Sequence, residues 1–354
     1  MALPRLRRIL LTGLGALVLL GGTGLGVGCH AFSAPVYRGP KSDHFDGEQF
    51  VNQEPRERKM SFLDWQLNRE PGPWTDWTEA PPGAPPPRRV AQGAVRVTFV
   101  NHATTLLQLD GVNVLTDPIW SERCSPVSFV GPKRVRPPGI RFEDLPPIDA
   151  VILSHNHYDH MDVPTLKMIA RQFPNVRIFA GLGNKAFLDS KGLPNVTELD
   201  WWQEAQLTPD VKVVSTPAHH FSNRGLSDQN GTLWTSYVLQ GPSGVTYFAG
   251  DTGYGKHFRQ VREKFGPPRL AVLPIGAFKP EAFMEVVHVS PKEAVQAHLD
   301  LEAKVSVPMH YGTFKLADEG QEEPVTELLK AIEAQAEPRP QFWVLGFGEG
   351  RDVP

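Results

Sequence analysis

The chain has 354 residues, 40% of them hydrophobic and 21% charged, enough to bury one large core or two modest ones. A formal charge of -3 carries no basic excess and argues against a nucleic-acid partner. The two cysteines, Cys29 and Cys124, could pair, but they make no disulfide framework; with no C-x-x-C, a cysteine zinc site is excluded.

Arg5, Arg7 and Arg8 precede a stretch from Ile9 to Gly28 that holds no charged residue. That order predicts a signal peptide or membrane anchor over residues 1–29. Cys29 follows Leu25-Gly26-Val27-Gly28, similar to a bacterial lipoprotein cleavage site, although Gly26 stands where an aliphatic residue is usual. The readings in play are a lipoprotein, an uncleaved signal anchor and, behind these, plain secretion. The anchored forms place the rest of the chain at a membrane surface on the exported, periplasmic side. Residues 30–90 are rich in proline, with runs such as Pro81-Pro82-Gly83-Ala84-Pro85-Pro86-Pro87, and read as a linker partly laid over the domain. Phe62, Trp65, Trp74 and Trp77 within it are expected to pack onto the domain surface.

Regular structure is expected from about residue 91. Val95–Val100 alternates as a strand, and Thr105–Leu109 and Val112–Leu115 form a hairpin through Asp110-Gly111. Asp149–Leu153 reads as a buried strand and Val163–Phe173 as a helix with Leu166, Ile169, Ala170 and Phe173 on one face. Strands follow at Val176–Ala180, Val211–Thr216, Thr235–Leu239 and Val245–Ala249. Helices are expected near Lys256–Phe265, Pro291–Leu299 and Val325–Ala334. Ser290-Pro291-Lys292-Glu293 is a capping box with proline at the first helical position. A sheet-on-sheet core flanked by helices accommodates this order.

The densest chemistry is His155-Asn156-His157-Tyr158-Asp159-His160, an H-x-H-x-D-H run directly after a buried strand. Three imidazoles and a carboxylate this close together suit zinc and its first-row neighbours. Three further strand ends carry the same residue types: His219-His220, Gly250-Asp251 and His310.

In that order these residues resemble the ligand set of the metallo-β-lactamase superfamily. The resemblance implies an α+β fold, a four-layer αββα sandwich over residues 91–354, with two metal ions at one edge. It implies that His155, His157 and His220 hold one ion, that Asp159, His160 and His310 hold the other, and that Asp251 bridges them. Several longer segments are similar to N-acylphosphatidylethanolamine-hydrolysing phospholipase D. They include Leu115-Thr116-Asp117-Pro118-Ile119, Gly131-Pro132-Lys133-Arg134, Glu198-Leu199-Asp200-Trp201-Trp202, Gly250-Asp251-Thr252-Gly253-Tyr254 and His288-Val289-Ser290-Pro291-Lys292-Glu293.

That family implies a phospholipase D-type phosphodiesterase that uses two zinc ions, with iron or manganese as alternatives, and a metal-bound hydroxide. It implies a membrane phospholipid substrate, a homodimer, catalytic roles for Asp159, Asp251 and His288, and Asp117 behind a ligand imidazole. His102 is read as structural more than catalytic, and Lys133-Arg134 either as a contact for lipid phosphate or as a solvated basic pair. His219 competes with His220 for one ligand place; His220 is chosen because it directly precedes an aromatic residue. The alternatives are a lactonase or other phosphodiesterase of the same fold, and a non-catalytic envelope protein.

Overall fold

A computed structural model describes residues 32–354. The signal or anchor expected over residues 1–29, with Cys29, lies outside the described residues. Among the described residues no helix is long and apolar enough to cross a membrane.

Two mixed sheets face each other. The first has the order β13-β1-β2-β3-β4-β5-β6, built from β1 (Val95–Asn101), β2 (Thr104–Leu109), β3 (Val112–Thr116), β4 (Ala150–Leu153), β5 (Arg177–Gly181), β6 (Val196–Leu199) and β13 (Gly350–Val353). The second has the order β12-β11-β10-β9-β8-β7, from β7 (Glu204–Gln206), β8 (Lys212–Thr216), β9 (Ser236–Gly241), β10 (Gly244–Phe248), β11 (Leu270–Pro274) and β12 (Val305–Met309).

Period-2 alternation sets which side chains face which layer. Phe99, Leu107, Val114, Ile152 and Phe179 of the first sheet meet Val213, Tyr237, Leu239, Phe248 and Val272 of the second in one buried cluster. Their neighbours Val100, Leu106, Leu115, Val151, Leu153 and Ile178 face outward. There they are covered by α2 (Val163–Gln172) through Leu166 and Ile169, and by α3 (Asn184–Ser190) through Phe187 and Leu188. β4 is apolar throughout because both of its faces are covered. On the far side α4 (His257–Phe265) and α6 (Pro291–Leu301) add Phe258, Val261, Ala294, Val295 and Leu301 to the central cluster, and α7 (Glu323–Glu333) packs beside α6. The fold is therefore the expected α+β sandwich, helix–sheet–sheet–helix.

Local signals account for the main boundaries. The β2–β3 hairpin turns where Asp110 and Gly111 both take positive φ, 51° and 80°, as a type I′ turn requires. Ser290 accepts from the Glu293 N–H at 3.3 Å while the Glu293 carboxylate accepts from the Ser290 N–H at 2.9 Å, so the capping box is formed. Sequence reading did not place β6, β7, β11 and β13, nor α1 (Phe62–Leu67), α3 and α5 (Glu281–Met284). Most are short, and β11 is a continuous apolar run without alternation.

Residues 30–90, read as a proline-rich linker partly laid over the domain, are described from residue 32 and hold one short helix, α1. This segment wraps the sandwich and enters its packing. Phe45 and Phe50 are fully buried against each other, with centroids 4.6 Å apart, and the His44 ring stacks on Trp201 at 4.4 Å. α1 is anchored by Trp65, which stacks on Phe283 at 4.9 Å and donates to the Asp318 carboxylate at 2.7 Å. Trp74 donates to the Glu319 carbonyl at 2.8 Å, whereas Trp77 stays 44% exposed. The proline runs form no helix or strand, but they are pinned: Gly83, Gly139 and Gly348 bring three backbones so close that a Cβ on Gly83 would lie 2.2 Å from the Gly348 carbonyl oxygen.

Candidate metal centre

The loops at one edge of the sandwich carry the expected donors. His155 to His160 follow β4, His219 and His220 follow β8, Asp251 follows β10 and His310 follows β12. The chain turns sharply into this edge. Gly250 takes φ 60°, and a Cβ there would sit 2.5 Å from Cβ of Ser154. His102, Asp117 and His310 hold left-handed backbone at φ 45°, 33° and 65°, which costs a non-glycine residue about 1–3 kcal/mol each and is tolerated where packing over-determines it.

Two donor groups result. In the first, Nε2 of His155 lies 2.7 Å from Nδ1 of His157, and Nε2 of His220 lies 3.4 Å from that same atom. In the second, Asp159 Oδ2 lies 3.3 Å from Nε2 of His160 and 3.4 Å from Nε2 of His310. Asp251 sits between them: its Oδ2 is 3.1 Å from His160, 3.1 Å from His310 and 3.9 Å from His220. These seven side chains thus lie together, with His102 and His288 beside them.

His219 does not join them. Its ring nitrogens reach the carbonyls of Val286 at 2.7 Å and Glu54 at 2.5 Å, tying the wrap to the loop before His288. Asp117 is fully buried behind the site, 2.7 Å from Nδ1 of His160, and accepts from the backbone and hydroxyl of Ser154 at 2.7 and 2.5 Å. His288 faces the centre with Nδ1 3.8 Å from Asp251 Oδ2, and it also lines a cleft of about 670 Å³ bounded by Tyr254, Phe278, Pro291 and Ala331.

Two residues contribute more than sequence reading gave them. His102 places Nε2 3.0 Å from Asp159 Oδ2, packs its ring 4.1 Å from that of His310, and accepts at its carbonyl from the His310 N–H at 2.7 Å. The strand-end Asn101-His102 was its visible signal. Asn52 of the wrap brackets His220, accepting from its N–H at 3.0 Å and donating to its carbonyl at 2.9 Å. It also accepts from the Trp234 indole at 2.9 Å, and no motif marks it. Conversely, Arg134 is no lipid contact. It is buried and donates to the carbonyls of Ser121 and Ile119 at 2.9 and 3.1 Å, while Lys133 pairs with Glu122 at 2.7 Å.

Burial and the mutual charges of these groups move them from their ordinary values, the imidazoles of the first group down and those of the second up. Burial, helped by neighbouring imidazoles, pushes His155 well below the ordinary histidine range; burial foremost takes His220 there too, and takes His157 and His288 down to about 4. Burial alone would raise the Asp159 and Asp251 carboxyls, but the imidazoles around them, His160 first, hold both well below the usual carboxylate range. For His310, burial pushes down while Asp251 and Asp159 more than offset it, lifting it to about 9.

The donor set fits a metal. His220 gives its Nδ1 proton to the Val287 carbonyl at 2.8 Å, and His160 gives its own to Asp117, so each turns an Nε2 lone pair inward. Nε2 of His160, Nε2 of His310 and Oδ1 of Asp251 are buried without a well-formed hydrogen bond. Nitrogen and carboxylate donors buried this close together, several of them without a hydrogen bond, are what a cation lying among them would satisfy.

A helix–sheet–sheet–helix sandwich with clustered His and Asp donors on its strand-end loops is the architecture of the metal-dependent hydrolases of the metallo-β-lactamase fold. Comparison with known proteins bears this out. The profile of the beta-lactamase superfamily domain matches residues 112–311, and the chain belongs to that family. An uncharacterized protein of Mycobacterium tuberculosis is 40% identical over 328 residues, 89% of this chain and 86% of the relative. An N-acyl-phosphatidylethanolamine-hydrolyzing phospholipase D of Caenorhabditis elegans is 39% identical over 235 residues, 64% of this chain and 66% of the relative. The solved structure of Igni18, a metallo hydrolase from Ignicoccus hospitalis, superposes with a TM-score of 0.55 at 23% identity, covering 74% of this chain and 99% of that one.

Proposed function

We propose that this chain is a phospholipase D-type phosphodiesterase that hydrolyses N-acylphosphatidylethanolamine-like lipids with two metal ions, zinc in the first instance; iron and manganese accept the same donors. The observation that carries the reading is the pair of donor groups sharing Asp251, with His288 facing both Asp251 and a 670 Å³ cleft. The likeness to the nematode phospholipase D directs it toward N-acylated phospholipids.

His155, His157 and His220 would hold one ion and Asp159, His160 and His310 the other, with Asp251 shared. When bound, the ions supply an activated water near neutral pH and offset negative charge on the phosphate. The chain's own groups do the rest. Asp117 fixes the His160 tautomer, and the Val287 carbonyl fixes that of His220, so donor geometry is set before substrate arrives. His102 restrains the Asp159 carboxylate from the side. His288, pushed down to about 4, is neutral at pH 7, and its single N–H can serve the departing alcohol oxygen as a hydrogen-bond donor. The products are an N-acylethanolamine and phosphatidic acid. We place the enzyme as a homodimer at the exported face of a membrane, held there by residues 1–29.

The test is direct. Purified protein is assayed for bound transition metal and for turnover of N-acylphosphatidylethanolamine, bis-p-nitrophenyl phosphate and an acyl lactone. Turnover of both phosphodiesters by metal-loaded protein is expected. Turnover of the lactone alone would transfer the site to another hydrolase class, and carefully prepared protein without metal would remove the catalytic reading.

A further inference from the structure

We infer that Glu319 is the positioning residue of His310: it aims that ring at the ion of the second donor group through one water held in a small cavity that both residues line. Three neighbouring imidazoles show what His310 lacks. His160 is steered from behind by Asp117 at 2.7 Å, His220 by the Val287 carbonyl at 2.8 Å and His155 by the Ser154 hydroxyl at 2.9 Å, each through Nδ1. Nδ1 of His310 is equally buried and has no hydrogen-bond partner in the protein. A ring nitrogen left so costs free energy until something satisfies it.

The means lie beside it. A cavity of about 10 Å³ is lined by His310 and Glu319, with Trp74, Ala277 and Leu316 in its walls. That is the room a single water occupies, and a buried water also needs polar partners. Glu319 is only 4% exposed. Its carboxylate accepts from the Ala277 N–H at 2.6 Å and from the Lys279 N–H at 3.2 Å, one on each oxygen, so each oxygen keeps a lone pair. A water in the cavity accepts from Nδ1–H of His310 and donates to that carboxylate.

A buried carboxylate is costly, and a neutral acceptor would hold the turn at Ala277 as well. Among the described residues no lysine or arginine pairs with Glu319; Lys279 turns its ammonium to Glu323 instead. The imidazole whose charge reaches it is that of His310. The frame around the pair is tight. A Cβ on Gly276 would lie 1.8 Å from the His310 carbonyl oxygen, and Trp74 of the wrap donates to the Glu319 carbonyl at 2.8 Å. With a proton kept on Nδ1, the lone pair of His310 is confined to Nε2, 3.1 Å from Asp251 and 3.4 Å from Asp159. The inference rests on the two-ion reading and deepens it: one carboxylate stands behind each histidine of the second donor group, Asp117 in direct contact and Glu319 through water.

NMR of the full, zinc-loaded chain carrying isotope-labelled histidine tests this. The His310 ring, identified by its loss in His310→Gln, is expected to show an Nδ1–H proton with a cross-relaxation peak to a long-lived water. Glu319→Gln is expected to shift that proton and speed its exchange. The same substitution should weaken the ion held by Asp159, His160 and His310 about 10–100-fold in chelator competition and leave the ion at His155, His157 and His220 unchanged. A ring nitrogen without a proton, or a proton without a water contact, overturns the proposal. So does a Glu319→Gln chain that loses thermal stability when metal-free while its ring proton and metal affinities stay put, which would make Glu319 a brace for the turn at Ala277 alone. The water contact is read in the parent, so it decides the matter even if the variant does not fold. If the parent takes up no metal, the two-ion reading fails, and the same ring proton in the metal-free chain still decides the link to Glu319.

Discussion

The strand-end loops that carry the donors and the N-terminal wrap that braces them meet at His220, and they are stabilised by opposite means. The loops hold buried charge and inward lone pairs, kept in place by second partners such as Asp117 and the Val287 carbonyl. The wrap holds no donor. It is fastened by a few aromatic anchors and hydrogen bonds, Trp65 on Phe283, His44 on Trp201 and Asn52 on His220. The difference teaches that chemistry and support are separable: damage to the loops should abolish function without unfolding, and damage to the wrap should cost stability before chemistry.

The largest effect should come from Asp251→Ala, which removes the one carboxylate common to both donor groups. Loss of bound metal and at least ~10³-fold of turnover is expected, with the thermal transition retained in metal-free buffer. An active, metal-replete variant would remove Asp251 from its bridging place. Trp65→Ala should destabilise by about 3 kcal/mol in denaturant titration, since it deletes a buried indole with its hydrogen bond to Asp318, while the surviving folded fraction keeps its metal content. If metal is lost in proportion, support and chemistry are not separable.

Asp117→Asn preserves size but weakens the acceptor behind His160. Metal affinity should fall about 10–100-fold by competition with a chelator, with little change in stability of the metal-free protein.

The smallest effect is pH-dependent and belongs to the wrap. Burial pushes His44 down, but hydrogen bonds to Asp200 and Asp43 more than offset it, and its folded-state value is raised. Its contribution to stability is therefore complete below the unfolded histidine value of about 6.5 and disappears as pH climbs through the folded one. The stability gap between the parent and His44→Gln should be wide near about pH 5.5 and close toward about pH 9. A gap that widens with pH would reverse the sign assigned to the pair.

Much of the site was legible because its residues are rare types at fixed strand-end positions. H-x-H-x-D-H, Gly250-Asp251 and His310 announce themselves, and the buried strand β4 could be seen from Ala150-Val151-Ile152-Leu153 alone. The wrap was legible only in outline. Trp65 and Trp74 were expected on the domain surface, but proline runs lack periodicity whether or not they pack, so nothing local marks Phe45 and Phe50 as buried or names the distant partners Trp201 and Phe283. Asn52 is silent for the same reason: its partners lie at positions 220 and 234. His220 was preferred to His219 because it precedes an aromatic residue, and the Val286 and Glu54 carbonyls that His219 reaches account for its place outside the donor groups.

The glycine seam at Gly83, Gly139 and Gly348 leaves no room for a methyl group: a Cβ on Gly139 would fall 2.0 Å from the Gly348 nitrogen, and one on Gly83 2.2 Å from the Gly348 carbonyl oxygen. Exchange of any of the three for alanine would force these backbones apart and lift the proline run off the sandwich.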